Sequence, residues 1–123
     1  MLKSLLIVGS GSFVGGALRY LVSSLMKSPS AAFPWGTLTV NLLGCFLIGL
    51  LYGAFTRFST ADSPWCLLLT TGICGGFTTF STFANESLRM LQSGNHAAFA
   101  LYVTVSVVVG IAMTWVGYLI VKQ

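Results

Sequence analysis
The chain has 123 residues, 55% of them hydrophobic, and only six Lys+Arg and two Asp+Glu. That is 7% charged, against about a quarter in soluble proteins, which excludes an ordinary soluble enzyme, a disordered chain and a nucleic-acid binder. The net charge of +4 comes from scattered cations with no basic stripe, so it describes no phosphate-binding face.

The composition is that of a membrane protein, read as one domain over residues 1–123. A spanning helix needs roughly 20 mostly apolar residues, and four segments qualify. The first runs from about Leu5 to Met26. Lys3 and the following apolar run have the look of a signal peptide, but Arg19 interrupts the segment and no small-x-small cleavage site follows. Its GSGSFVGG run falls short of a dinucleotide fingerprint, because Val14 holds the last position and no βαβ unit follows. The second segment is about Trp35 to Phe55, with Thr37 and Asn41 at i,i+4.

The third, about Trp65 to Leu91, opens on PWCLLL and then turns rich in Gly, Thr and Ser. Gly72, Gly75 and Gly76 crowd its middle, where each costs up to about 1 kcal/mol against Ala in a helix. A local break and close helix packing explain them equally well. Unwound backbone in a bilayer is tolerated only when buried or lining a wet cavity, and carbonyls freed there can hold a cation. Read as a helix at about 100° per residue, 77–86 puts Phe80 and Phe83 about 60° apart on one face. Thr78, Ser81, Thr82, Asn85 and Glu86 then share an adjoining polar arc of about 140°.

The fourth segment, about Ala97 to Val121, carries Tyr102, Ser106, Gly110, Thr114 and Tyr118 in steps of four. Three spans each bearing a polar line are better explained by a shared water- or ion-lined path than by interhelical hydrogen bonding alone. Cation paths normally show carboxylates in the spans, and here only Glu86 qualifies. Neutral donors are plentiful, and a phenyl rim carries the positive side of the ring quadrupole. Those features suit a small anion that must bind and leave quickly.

The connectors KSPSAAFP, TRFSTADSP and QSGN are short and turn-rich. One side of the membrane collects Lys3, Arg57 and Lys122, the other Lys27 and Arg89. So weak a bias predicts insertion both ways round and an antiparallel two-fold dimer. GxxxG pairs at Gly11/Gly15, Gly49/Gly53 and Gly72/Gly76 predict a tight bundle. Cys45, Cys66 and Cys74 lack CxxC spacing and read as free apolar thiols.

Gly75-Gly76-Phe77-Thr78-Thr79-Phe80-Ser81-Thr82-Phe83, with Asn41 in TVNLLGCFLIG and Gly15-Gly16-Ala17-Leu18-Arg19-Tyr20 upstream, resembles the Fluc/CrcB fluoride channels. The resemblance covers all four segments. It implies an all-α integral membrane protein of four helices, broken in the third, assembled as an antiparallel dual-topology homodimer with two fluoride pores. By resemblance, Phe80 and Phe83 form aromatic boxes helped by Asn41. Thr37, Ser81, Thr82, Tyr102 and Ser106 line a polar track, and Glu86 and Arg19 stand at its vestibule. For Arg19, an anion-attracting role and a structural tether both fit. The carbonyls of Gly75 and Thr78, from both subunits, are expected to hold a structural Na⁺. Other members carry a serine four residues after the one matching Ser106, where this chain has Gly110. The implied function is passive export of cytoplasmic fluoride across a bacterial inner membrane, with no enzymatic step. The alternatives are a small multidrug-type antiporter, whose first-span carboxylate this chain lacks, and a structural membrane subunit.

Overall fold
A computed structural model describes residues 1–26, 33–60 and 62–122. The described residues contain helices and no strand. They comprise α1 (Leu2–Leu25), α2 (Trp35–Arg57), α3 (Pro64–Leu67), a π-helical stretch (Leu68–Cys74), α4 (Gly75–Phe77), α5 (Phe80–Gln92) and α6 (His96–Lys122). Four runs are long and apolar enough to cross a membrane: Leu2–Leu25, Trp35–Arg57, Pro64–Gln92 and His96–Lys122. The Lys27 used in the charge count lies outside the described residues.

Local chemistry sets the helix ends. Ser63 accepts the Trp65 amide at 3.1 Å with Pro64 at the first helical position, a side-chain cap joined to a residue whose missing N–H is harmless there. Between α5 and α6 the chain reverses in three residues. Gly94 takes φ +79°, and the Asn95 amide returns to the Met90 carbonyl at 2.9 Å. Left-handed backbone of this kind is the glycine solution to ending a helix. The Asn95 side chain then accepts the Ala98 amide at 3.3 Å and starts α6.

Packing is by pairs: α1 lies along the π-helical stretch and α4, and α2 lies along α6. Small residues make both seams. A Cβ on Gly11 would stand 2.8 Å from the Gly72 Cα, one on Gly76 would stand 2.6 Å from the Ser12 carbonyl, and one on Gly117 would stand 2.6 Å from the Phe46 carbonyl. In lipid, where apolar burial between helices contributes little, such close approach supplies the attraction. The large apolar side chains mostly point outward; Leu6, Phe13, Ile111 and Trp115 are all exposed. The buried cluster is small, with Leu38, Met90 and Tyr102 packed by Phe33, Phe83 and Phe99.

The third span is broken as expected, and one expectation is corrected. Gly72, Gly75 and Gly76 are all helical, and Gly72 and Gly76 serve close packing. The break comes just after them, where Thr78 (φ −89°, ψ 159°) and Thr79 (φ −149°, ψ 126°) are extended. Thr78 therefore leaves the polar arc of the continuous helix assumed over 77–86. The free cysteines are as expected, with Cys74 buried and the other two half-buried.

Candidate functional site
The extended pair Thr78–Thr79 is held by side chains. Thr79 N–H donates to Asn41 Oδ1 at 2.9 Å, and Asn41 Nδ2 donates back to the Thr79 carbonyl at 3.0 Å. The Thr79 hydroxyl accepts the Thr82 amide at 3.2 Å and caps α5. It also donates to Thr82 Oγ1 at 3.2 Å, with Ser81 Oγ 3.4 Å away. One helix therefore restarts under a cap clamped from its neighbour, with Phe80 and Phe83 in its first turn. Their ring centroids are 5.7 Å apart.

Around this break lies a cleft of about 390 Å³ that gathers Asn41, Gly75, Thr78, Phe80, Phe83 and Ser106. Phe80 is 79% exposed, so one wall of the cleft faces out of the protomer. Among the described residues, one buried side-chain polar atom has no hydrogen-bond partner: Ser106 Oγ. A buried hydroxyl left unpaired costs about 1–3 kcal/mol, and native structures rarely keep one without a reason.

A second cavity, about 610 Å³, opens where α1 ends and α2 begins, and is lined by Arg19, Thr37, Thr82, Glu86 and Arg89. Among the described residues two cations and one carboxylate face it, a net positive lining. Arg19 also donates Nε to the Gly76 carbonyl at 3.2 Å, so it tethers α1 to α4 while lining the cavity.

Tyr102 stands between the two spaces. It is fully buried, its ring edge-on to Phe33 at 5.5 Å and tilted against Phe83 at 5.0 Å. Its hydroxyl donates to Glu86 Oε1 at 3.5 Å. Ser81, by contrast, is exposed and lines neither space.

The lower part of the α6 stripe turns away. Thr114 shares its proton between the carbonyls of Cys45 (3.0 Å) and Gly110 (3.1 Å). A Cβ on Gly110 would stand 3.4 Å from Cys45 Sγ. Gly110 and Thr114 thus seat α6 on α2, and the polar line continuing from Ser106 ends against a helix.

Sequence reasoning missed Thr79 and the position of Arg89. The signal for Thr79 was present, since a threonine directly before an amphipathic run is a helix cap. It was lost by reading 77–86 as one helix.

The profile of the family described as CrcB-like protein, Camphor Resistance (CrcB) matches residues 6–118. The chain belongs to the CrcB family. Among its CrcB relatives, a protein of Leptospira interrogans serogroup Icterohaemorrhagiae serovar copenhageni (strain Fiocruz L1-130) is 46% identical over 122 residues, 98% of this chain and 96% of its own. One from Phocaeicola vulgatus is 47% identical over 117 residues, covering 94% and 96%. Both carry the name fluoride-specific ion channel FluC. A Yersinia pestis relative, fluoride-specific ion channel FluC 1, is 45% identical over 123 residues, covering 100% and 97%. These CrcB relatives are named as ion channels and not as enzymes. Four membrane-length helices and this kinship make the chain a multi-pass membrane protein.

Proposed function
We propose that this chain is a fluoride-selective channel that passively exports fluoride across a bacterial inner membrane, without enzymatic chemistry, as an antiparallel dual-topology homodimer with two pores. The carrying observation is the unpaired Ser106 hydroxyl in a cleft otherwise walled by phenyl rings and amide and hydroxyl groups. Neutral donors of this kind replace the water around a small anion without holding it as a Lys or Arg would. Fluoride, small and tightly hydrated, gains most from several donors at short range; chloride is wider and gains less from each.

In this reading the anion enters by the cavity of Arg19 and Arg89, whose positive field concentrates it. It then passes Thr37, Thr82, Tyr102 and Glu86, and crosses the rims of Phe80 and Phe83. The second N–H of Asn41 and the Ser106 hydroxyl meet it in the cleft. Ser81 is an outer member of the same face. The dimer has its own support. The second N–H of Asn41 and the freed carbonyls of Gly75 and Thr78, in an open cleft, would face hydrocarbon, where unsatisfied polar groups are expensive, and the outward Phe80 presents an apolar surface for a second copy to cover.

The residues at the break also fit a Na⁺ ion. An unbroken helix would send the Thr79 and Thr82 amides to the carbonyls of Gly75 and Thr78. Those amides go to Asn41 Oδ1 and Thr79 Oγ1 instead. The two oxygens so released are hard, neutral donors, as an alkali cation requires. Bound there, Na⁺ would supply positive charge at the break.

The test is reconstitution of the purified chain into liposomes with a fluoride electrode, against chloride and a protein-free control. Fluoride release without chloride release is expected. Impermeable vesicles, or equal passage of both ions, would overturn the reading.

A further inference from the structure
The cleft's aromatic pair follows directly on a lining residue that is anchored to the neighbouring helix. Thr79 carries two fixed attachments. Its peptide is paired on both sides with the Asn41 amide of α2 (2.9 and 3.0 Å), and its hydroxyl caps the helix that opens on Phe80. Side-chain groups of this kind offer backbone an alternative to the helical ladder. They do so here at the two amides whose diversion frees Gly75 and Thr78. Threonine suits the position on two counts: β-branching favours the extended backbone seen at φ −149°, and the hydroxyl supplies the cap.

We propose that Thr79, gripped by Asn41, is the positioning residue of the anion pathway. It fixes the direction in which Phe80 and Phe83 present their rims and holds the break open. Thr79 binds no ion itself; it acts through the start of α5. This inference rests on the fluoride-channel reading for its flux readout, and on the hydrogen bonds alone for its second readout.

The full chain is measured in proteoliposomes for fluoride efflux and by hydrogen–deuterium exchange at amides 79–82. Thr79→Val keeps the shape and removes the acceptor. It is expected to raise exchange at the Thr82 amide and cut efflux about tenfold, the effect of roughly 1.4 kcal/mol. Thr79→Ser restores the cap and is expected to recover both readouts to within about threefold of wild type, the residue being the lost β-branch preference.

In an Asn41→Ala background, Thr79→Val is expected to add less than about twofold, because the two act in series. A cap serving stability alone would cost the same in both backgrounds. Should Thr79→Val fail to fold, Asn41→Ala reads the same clamp through faster exchange at the Thr79 amide.

Wild-type exchange and efflux in Thr79→Val, or full additivity with Asn41→Ala, would overturn the proposal. Wild-type vesicles impermeable to fluoride would overturn the channel reading instead, and the exchange arm would still decide the clamp.

Discussion
The Phe83 ring lies 5.0 Å from the Tyr102 ring, and the Tyr102 hydroxyl reaches Glu86. Phe83 lines the cleft and Glu86 the charged cavity, so the buried Tyr102 contacts one lining residue of each space. Its ring belongs to the buried cluster while its hydroxyl points to the polar side. Tyr102→Phe should therefore keep the thermal midpoint close to wild type while lowering fluoride efflux. Tyr102→Ala should lose about 3–5 kcal/mol of stability as well, as large-to-small changes at buried aromatics do. Thermal unfolding beside electrode efflux separates the two effects.

The cleft's donors should matter individually. Asn41→Asp replaces the amide's N–H donors with negative charge, and Phe80→Ile removes a ring rim from the exposed wall. Each is expected to reduce efflux by at least about tenfold, one lost interaction of ordinary strength. Efflux at the wild-type rate from both variants would remove these residues from the pathway.

Ser106 and Thr114 sit two turns apart on α6 and should respond oppositely. Ser106→Ala deletes a hydroxyl that has no partner, so stability should hold or rise while efflux falls. Thr114→Val deletes the bond to Cys45 and Gly110 and should cost about 1 kcal/mol of stability, with efflux little changed. A common response from both would mean that α6 presents one continuous polar track.

Two glycines of α1 give a packing test. Nothing lies within 4 Å of a Cβ at Gly9, whereas one at Gly11 meets backbone of the third span at 2.8 Å. Gly9→Ala should stabilise by up to about 1 kcal/mol through helix propensity. Gly11→Ala should destabilise by about 1–3 kcal/mol, since overpacked backbone must move. Denaturation midpoints in one detergent decide it.

If the freed carbonyls of Gly75 and Thr78 hold Na⁺, ligand linkage requires the folded dimer to gain stability with Na⁺ concentration. The thermal midpoint should rise in NaCl relative to equal N-methyl-D-glucamine chloride. The increment should shrink in Thr79→Val, whose Thr82 amide is free to return to the Thr78 oxygen. Equal midpoints in both salts would remove the ion from the break.

What the linear chain determined is the part governed by composition and short-range pattern. Long apolar runs with almost no charge admit only spanning helices. GxxxG pairs foretold the seams that Gly11 and Gly72 form, and the Phe80–Phe83 spacing survives because both lie inside one helix. The stripe of Tyr102, Ser106 and Thr114 looked uniform because periodicity registers a face and not what covers it. Only packing showed that Ser106 opens to the cleft while Thr114 closes against α2.

The position of the break was likewise a tertiary decision. Glycine marked the crowded region, but a helix tolerates glycine when a neighbour presses close, and α1 does so along Gly72 and Gly76. Two residues later the backbone finds better partners outside the helix than within it. Those partners include Asn41, 38 residues earlier in the chain, and no local preference of Thr78 or Thr79 encodes that distance.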